Sequence, residues 1–509
     1  RMLEERLEIP LIIGGREIDT GERGQAICPH DHAHVLADFS QAGAKEVEQA
    51  TAAAASAWQE WSEMPWEARA AVFLRAADLL AGPWRDTLNA ATMLNQSKTV
   101  FQAEIDAACE LIDFWRFNAH FMQQLYGEQP ASAAGTWNRV EYRALEGFVF
   151  AVTPFNFTSI GGNLPTAPAI MGNVALWKPA STAVLPAYYI MRLLEEAGLP
   201  PGVINFLPGP GRAVGDPVLA SPRLAGIHFT GSTAVFQAMW RTVGQNIGDY
   251  DTYPRLVGET GGKDFVFAHS SADVPSLVTA LVRGAFEYQG QKCSAASRAY
   301  LPQSLWDGVC DGREAQLSEI RMGSPLDFRN FMAAVIDQSS FDDIMGYVRH
   351  AERTDGLEVV FGGEGDDSEG YFIEPTVVLS RDPASKLMRE EIFGPVLTVH
   401  VYADDDLATA LEACDRTSPY GLTGAIFGRD RGAIERMAAA LRHTAGNFYI
   451  NDKPTGAVVG QQPFGGSRAS GTNDKAGSKA NLMRWTSQRA IKETFVPPTD
   501  FRYPHMGDE

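Results

Sequence analysis

The segment Gly147-Phe-Val-Phe-Ala-Val-Thr153 is a short apolar run with aromatic and β-branched residues, which is typical of a buried strand. A similar run, Val174-Ala-Leu-Trp-Lys178, follows a stretch at 166–171 that we expect to be helical. Strand, helix and strand in this order predict a parallel βαβ unit. Ligands of such sheets bind beyond the carboxyl ends of the strands. The residues after Thr153 and around Lys178 are therefore the first candidates for a site.

The same alternation continues along the chain in both directions. Around the opening segment we predict helices at 45–61, 68–80, 104–121, 186–196 and from Thr230-Gly-Ser232 to about 243, and strands at 203–206 and 224–229. A second series starts near Leu256, with strands at 255–259, 264–268, 298–301, 397–402, 423–427 and 448–450 and helices at 275–288 and 405–414. The sequence predicts an α/β protein with two doubly wound parallel-sheet domains.

Two further segments have strand-like patterns but no obvious partner in either series. Residues 127–137 are rich in Gly, Pro, Ser and Ala, residues 140–145 alternate like a strand, and 485–495 again has an extended pattern. Unpaired strands invite pairing with another strand. We therefore predict a small β arm, at about 127–146, that pairs with the C-terminal strand in a dimer.

Composition excludes several classes of protein. The 509 residues carry 43 Lys and Arg against 63 Asp and Glu, a net charge of −20, which argues against a general nucleic-acid binder. The 5 cysteines are widely spaced without a CxxC pair, which favours a reducing compartment and no metal site. No apolar run approaches the roughly 18 residues of a membrane helix. The acidic residues 1–10 lack the apolar region of a signal peptide.

Cys293 is the first candidate for chemistry. It lies in Tyr288-Gln-Gly-Gln-Lys-Cys293, where glycine and polar residues end a predicted helix. Lys292 and nearby amide dipoles would lower the pKa of this thiol and make it a nucleophile. The alternative is a small buried apolar side chain, which is the commonest role of a free cysteine.

Glu259 and Asn156 follow predicted strands. Glu259 ends a strand before Gly261-Gly262, so it is either a general base or a surface carboxylate. Asn156 is either a donor to a developing oxyanion or a turn residue. Lys178 ends a predicted strand, and Ser232 follows one at the start of a helix. A lysine at the end of a strand can bind a hydroxyl or phosphate group, and a helix N-terminus suits a phosphate. The GxGxxG fingerprint is absent, so nucleotide binding is only suggested.

Seven motifs in order connect these residues. They are Pro154-Phe-Asn156, Trp177-Lys-Pro179, Phe229-Thr-Gly-Ser232, Glu259-Thr-Gly-Gly-Lys263, Gly290-Gln-Lys-Cys293, Glu391-Ile-Phe-Gly-Pro395 and Pro463-Phe-Gly-Gly466. Together they resemble the aldehyde dehydrogenase superfamily over nearly the whole chain. Four longer stretches are similar to its Δ1-pyrroline-5-carboxylate dehydrogenase branch, which converts L-glutamate γ-semialdehyde to L-glutamate with NAD⁺ in proline catabolism: Glu104–Phe114, Phe286–Ala295, Gly446–Asn451 and Gly460–Asp474.

The resemblance implies a role for each matching residue. Cys293 would attack the aldehyde, Asn156 and the Cys293 amide would hold the oxyanion, and Glu259 would activate water against the thioester. NAD contacts are implied for Phe155, Lys178, Ser181, Gly211, Ser232, Glu391 and Phe393. Ser181 lies where an acidic residue often selects NAD, so tolerance of NADP stays open.

The resemblance also implies how the substrate is held. Backbone amides of Gly456-Ala457 and the hydroxyl of Ser294 would bind the α-carboxylate, and Glu110 the α-amine. Phe157 and Phe464 would flank the aliphatic chain. As alternatives, Gly456-Ala457 is a plain turn, Glu110 a helix-face carboxylate, and Ser294 only packs beside the nucleophile.

The implied organisation divides the chain into six segments. They are an NAD-binding domain (1–126 and 147–258), the arm (127–146), a catalytic domain (259–455), an anchor loop returning to the NAD-binding domain (456–484), and an oligomerisation strand with the tail (485–509). We expect a homodimer or a dimer-based higher oligomer, in the bacterial cytoplasm or, with a leader removed, in the mitochondrial matrix. Two alternatives remain: an aldehyde dehydrogenase for another semialdehyde, and a non-catalytic relative.

Overall fold

The computed structural model describes residues 1–507 and contains two seven-stranded sheets. The strands of the first sheet lie in the spatial order Arg255–Glu259, Leu224–Thr230, Phe148–Val152, Val174–Lys178, Ile204–Phe206, Leu11–Ile13 and Arg16–Ile18. The four pairings among its first five strands are parallel, and its last two pairings are antiparallel. The helices of this part of the chain are Ala44–Glu63, Trp66–Ala81, Arg85–Gln96, Val100–Ala103, the π-helix Glu104–Glu110, Leu111–Gly127, Thr158–Ile170, Val184–Glu196, Gly211–Leu219 and Thr233–Gln245.

The second sheet has the spatial order Leu357–Phe361, Thr376–Ser380, Val396–Tyr402, Ala296–Pro302, Asp264–Ala268, Thr423–Phe427 and Asn447–Ile450. Only its first strand is antiparallel. Its helices are Val274–Phe286, Gln303–Leu317, Gln338–Arg353, Lys386–Arg389, Leu407–Arg416 and Arg431–Ala440, with Lys479–Met483 later in the chain. Val266 and Phe267 are both fully buried but lie in different apolar clusters, as the alternation of a strand requires. Both faces of this sheet are therefore covered, and the predicted α/β fold is confirmed.

Smaller sheets complete the architecture. Leu7–Ile9, Asp31–Ser40 and Arg23–Cys28 form a three-stranded sheet, and two pairs of two-residue strands lie at Gly365–Asp366 with Phe372–Ile373 and at Tyr420–Gly421 with Ser467–Arg468. Thr136–Arg143 pairs antiparallel with Ser487–Thr494 of the same chain, from Arg143 opposite Ser487 to Thr136 opposite Thr494. The predicted arm and the predicted C-terminal strand therefore pair with each other within one chain.

Two sequence predictions need correction. Arg255–Glu259 does not begin the second sheet, because it pairs with Leu224–Thr230 at the edge of the first. The helix predicted at 166–171 begins at Thr158 and runs through Gly161-Gly162, which resemble a turn in the sequence. A Cβ on Gly162 would lie 2.7 Å from Leu111 Cδ1, so glycine allows this helix to pack closely against its neighbour.

No helix among residues 1–507 combines the length and apolar character that crossing a membrane requires.

Candidate active site

A strained turn carries Cys293. After the helix Val274–Phe286, Tyr288 and Gln289 both adopt left-handed backbone conformations, with φ of 52° and 54°. Such residues cost about 1–3 kcal/mol each and persist where the surroundings enforce them. The Gln289 side chain supplies that restraint by donating to the carbonyls of Ser97 (3.1 Å) and Ala334 (2.8 Å). The turn is thereby fixed against two distant parts of the chain.

The surroundings of Cys293 disfavour the deprotonated, thiolate form of its side chain. Burial raises the pKa of the thiol well above its usual value, and the carboxylates of Glu259, Asp264 and Glu391 raise it further. The expectation that Lys292 lowers this pKa is wrong, because the Lys292 ammonium is paired with Glu287 at 3.1 Å. The free enzyme therefore holds Cys293 as a neutral thiol at neutral pH, and deprotonation requires a base.

Asn156 lies directly beside this turn. It follows the strand Phe148–Val152, is buried, and donates from Nδ2 to the carbonyl of Gln291 at 3.0 Å. A primary amide has two N–H groups, so the second remains available for an oxygen at the nucleophile. The contact rules out an isolated turn role for Asn156.

Glu259 ends the strand Arg255–Glu259 and lines the same cavity as Cys293. Burial raises the pKa of Glu259 to about 8, opposed by Lys475 and reinforced by Asp474 and Glu110. The alternative of an ordinary surface carboxylate is therefore wrong. A carboxyl group with this pKa exchanges protons near neutrality, which suits a general base.

One cavity of about 320 Å³ brings together half of the predicted site residues. Those that line it are Glu110, Phe157, Glu259, Cys293, Ser294, Gly456, Ala457 and Phe464. All the predicted substrate-binding residues thus line the same cavity as the nucleophile and the base. Its size is that of a small-molecule site.

The cavity lining includes two groups that differ in chemistry. In the first, Gly456 has φ of 97°, the Ser294 hydroxyl lies 2.8 Å from Thr455 Oγ1, and the N–H groups of Gly456 and Ala457 bond to no protein group within residues 1–507. Free amides of this kind suit a carboxylate. In the second, burial raises the pKa of Glu110 to about 8, with Asp106 adding to the rise.

Residues predicted to contact a dinucleotide lie outside this cavity, around the carboxyl ends of the first sheet. The rings of Phe155 and Phe393 meet edge to face at 5.8 Å, and Glu391 accepts a 2.8 Å bond from the Gly262 N–H. Burial raises the pKa of Glu391 to about 7. A Cβ on Gly262 would overlap the Cys293 carbonyl, so this close approach requires glycine.

The remaining cofactor residues fit a dinucleotide to different degrees. Burial lowers the pKa of Lys178 to about 8. Within the described part of the chain its ammonium bonds only to the neighbouring Pro179 carbonyl (3.1 Å), which leaves donors for a ribose. Ser232 caps the helix Thr233–Gln245, whose first amides suit a pyrophosphate. Gly211 opens the helix Gly211–Leu219 on the surface, and Ser181 is exposed. The donor set therefore fits NAD.

Sequence reasoning missed the polar group beneath the cavity. Lys98 and Asp106 form a fully buried ion pair at 2.6 Å, and the Ser159 hydroxyl joins Asp106 to Glu110. Asp106 and Glu110 share the π-helix Glu104–Glu110, a form common at functional sites. A lysine and an aspartate eight residues apart give no local signal of this pairing.

The chain is similar to known proteins over nearly its whole length. A family model described as aldehyde dehydrogenase family matches residues 17–491. The chain is 55% identical over 505 residues to the mitochondrial delta-1-pyrroline-5-carboxylate dehydrogenase of Dictyostelium discoideum, covering 99% of this chain and 90% of the relative. It is 51% identical over 506 residues to the mitochondrial protein of that name from Homo sapiens, with 99% and 90% covered. The crystal structure of the Mycobacterium tuberculosis delta-pyrroline-5-carboxylate dehydrogenase bound with NAD superposes with a TM-score of 0.96 at 56% identity, covering 100% of this chain and 94% of that one.

The charge on Glu259 predicts how fast Cys293 is alkylated. At pH 9 Glu259 is ionised and disfavours the thiolate, so Glu259→Gln lowers the pKa of the Cys293 thiol and accelerates its carbamidomethylation by iodoacetamide several-fold. At pH 6 Glu259 is protonated, and the two proteins react alike. Mass spectrometry of the peptide that carries Cys293 measures both rates. The control is Glu412→Gln, an exposed carboxylate paired with Arg416. Equal rates for Glu259→Gln and wild type at pH 9 contradict this electrostatic account.

Proposed function

The chain belongs to the aldehyde dehydrogenase family, and from that premise we propose that it oxidises L-glutamate γ-semialdehyde to L-glutamate with NAD⁺. The semialdehyde is in equilibrium with Δ1-pyrroline-5-carboxylate, so the reaction is the second step of proline catabolism. One observation carries the proposal: a thiol, a base, free backbone amides and a further carboxyl group line a single cavity. The amides suit the α-carboxylate of that substrate, and the carboxyl group of Glu110 suits its α-ammonium group.

The first chemical step is attack of Cys293 on the aldehyde carbon. Because the thiol pKa is raised, the proton must leave the sulfur as the carbon–sulfur bond forms, and water carries it to solvent. The free N–H of Asn156 and the Cys293 amide stabilise the negative oxygen of the thiohemiacetal. NAD⁺, when bound, accepts the hydride that leaves this carbon, so the bound substrate becomes a thioester.

Hydrolysis of the thioester completes the reaction. Glu259 takes a proton from water, the resulting hydroxide adds to the acyl carbon, and the carbon–sulfur bond breaks to release glutamate and the Cys293 thiolate. The proton held by Glu259 then passes to this thiolate, which regenerates the thiol and the base. With its pKa at about 8, Glu259 is ionised in a growing fraction of molecules as the pH rises through 8. The rate of thioester hydrolysis therefore rises with pH over that range and levels above it.

The assignment of the substrate residues extends this proposal. The amides of Gly456-Ala457 with the Ser294 hydroxyl hold the α-carboxylate, and Glu110 meets the α-ammonium. Phe157 and Phe464 enclose the aliphatic chain. The NAD contacts are the residues around the first sheet: Phe155, Lys178, Ser181, Gly211, Ser232, Glu391 and Phe393. We assign NAD binding to segments 1–126 and 147–258 and the nucleophile to the segment 259–455, with the anchor loop in 456–484.

Substrate preference separates this proposal from an enzyme for another semialdehyde. Glutamate semialdehyde is expected to give a kcat/KM at least about 10²-fold above that of pentanal, because two charged ends each contribute about 1.5–3 kcal/mol through hydrogen bonds. Succinic semialdehyde, without the α-amine, falls between them. NADH absorbance measures all three rates, with NADP⁺ run beside NAD⁺. Cys293→Ala abolishes turnover, which also excludes a non-catalytic relative. Equal kcat/KM for the three aldehydes contradicts the assignment.

We also propose that the arm joins two copies of the chain, in the bacterial cytoplasm or the mitochondrial matrix. The arm consists of only two strands, Thr136–Arg143 and Ser487–Thr494, and a two-stranded sheet alone is marginally stable in water. Trp137 on it is half exposed, which suits a covering partner.

Sedimentation of the purified chain at micromolar concentration tests this assembly. The proposal expects a dimer or a multiple of it for the full chain, and a monomer for a chain that ends at Thr486 and so lacks the second arm strand. A chain ending at Thr494 retains both strands and is the matched control. A full-length monomer, or a truncated chain that still dimerises, contradicts the arm's role.

A further inference from the structure

The Ser159 hydroxyl lies between two carboxyl groups and has one proton to give. Its oxygen is 2.7 Å from Asp106 Oδ1 and 2.8 Å from Glu110 Oε2, and Ser159 is fully buried. A hydroxyl has a single donor and two acceptor positions. It therefore donates to only one of these carboxyls and must accept a proton from the other.

Asp106 is the carboxyl group that accepts the hydrogen bond from the Ser159 hydroxyl. Its Oδ2 receives the Thr158 N–H (2.9 Å) and the Lys98 ammonium (2.6 Å), and its Oδ1 receives the Ser159 N–H (3.0 Å) and faces the Ser159 hydroxyl. These four partners occupy all the acceptor positions of a carboxylate, so no room remains for a proton on Asp106. The proton between Ser159 and Glu110 therefore belongs to Glu110, which donates to the hydroxyl oxygen.

The charges around Glu110 support this assignment. The two nearby lysines are already paired, Lys98 with Asp106 and Lys292 with Glu287. Glu259, at the end of its strand, is acidic and adds no positive charge. Within residues 1–507, no cation is thus paired with Glu110, and burial together with Asp106 favours its neutral form.

We propose that Asp106 and Ser159 form a relay that keeps Glu110 protonated in the free enzyme, and that binding of the substrate's α-ammonium group expels this proton to solvent. The inference rests on the proposed function, because it deepens the role of Glu110 in that site. It makes Ser159 a positioning residue for substrate recognition.

The exchange balances in charge and in hydrogen bonds. The ammonium enters with one positive charge and the Glu110 proton leaves with one, so the charge of the buried site is unchanged. The Ser159 proton turns from Asp106 to the newly formed Glu110 carboxylate. Asp106 keeps three donors, from Thr158, the Ser159 backbone and Lys98. The site therefore binds an ammonium group only when the Glu110 proton leaves. This exchange favours ligands that carry an α-ammonium group.

Calorimetric titration with L-glutamate, the product, tests the relay without the aldehyde equilibrium. At pH 7, titration in phosphate and in Tris, which differ in ionisation enthalpy, is expected to show release of about one proton per site, because Glu110 titrates near pH 8. The apparent Kd falls nearly tenfold per pH unit from pH 6 to 7 and levels above pH 8. Glutarate, which lacks the ammonium group, releases none, and neither does L-glutamate with Glu110→Gln. Absence of release in the wild type, or release retained in Glu110→Gln, overturns the inference.

A second variant isolates Ser159. Ser159→Ala is expected to raise the Kd for L-glutamate at least about tenfold, the loss of a hydrogen bond to a charged group, with little change for glutarate. Thr166→Val is the matched control, because it removes a buried hydroxyl from the same helix that bonds to Gly162 and Trp115 instead. Ser159→Ala binding L-glutamate as tightly as wild type overturns the relay. An enzyme that oxidises the semialdehyde but releases no proton contradicts this inference alone, whereas one that fails to oxidise it contradicts the proposed function.

Discussion

The buried ion pair between Lys98 and Asp106 is the interaction on which the rest of the site depends. Asp106 binds the first amides of the helix Thr158–Ile170, directly after Asn156 and Phe157. The Lys98 ammonium lies 4.3 Å from the ring centre of Phe157 and 4.5 Å from that of Tyr288, in the turn that leads to Cys293. The pair therefore holds the π-helix, the oxyanion side and the nucleophile turn together. Removing one partner of such a pair costs about 3–5 kcal/mol, because the other charge stays buried.

Burial also determines the protonation states of the acidic side chains that line the cavity. It raises the pKa of Cys293, Glu259 and Glu110 together, so the free enzyme presents neutral acids to an entering substrate. The net charge of −20 is consequently no obstacle to an anionic substrate, because the backbone amides of Gly456-Ala457 and the adjacent Lys453 ammonium supply local positive charge. During the reaction, negative charge develops on the aldehyde oxygen, where Asn156 is in place to stabilise it.

Much of the fold could be predicted from apolar runs bounded by turn residues, and strands such as Val174–Lys178 and Thr423–Phe427 have the predicted bounds. The helix Thr158–Ile170 could not be predicted in full, because Gly161-Gly162 resemble a turn and its N-terminus is stabilised by the distant Asp106. The motif order indicated the residues that line the cavity, but the effect of Lys292 on the thiol was mispredicted. Its pairing with Glu287 depends on a turn whose shape is fixed by contacts far along the chain.

The central claim is that Cys293 forms a thioester that Glu259 hydrolyses. Intact-protein and peptide mass spectrometry of Glu259→Gln, mixed with NAD⁺ and glutamate semialdehyde and quenched in acid, tests it most directly. The account predicts a stoichiometric mass increase equal to one glutamyl group, located on Cys293, with one equivalent of NADH formed and little turnover thereafter. An unmodified Cys293 alongside sustained NADH production, or a glutamyl group on another residue, would contradict it.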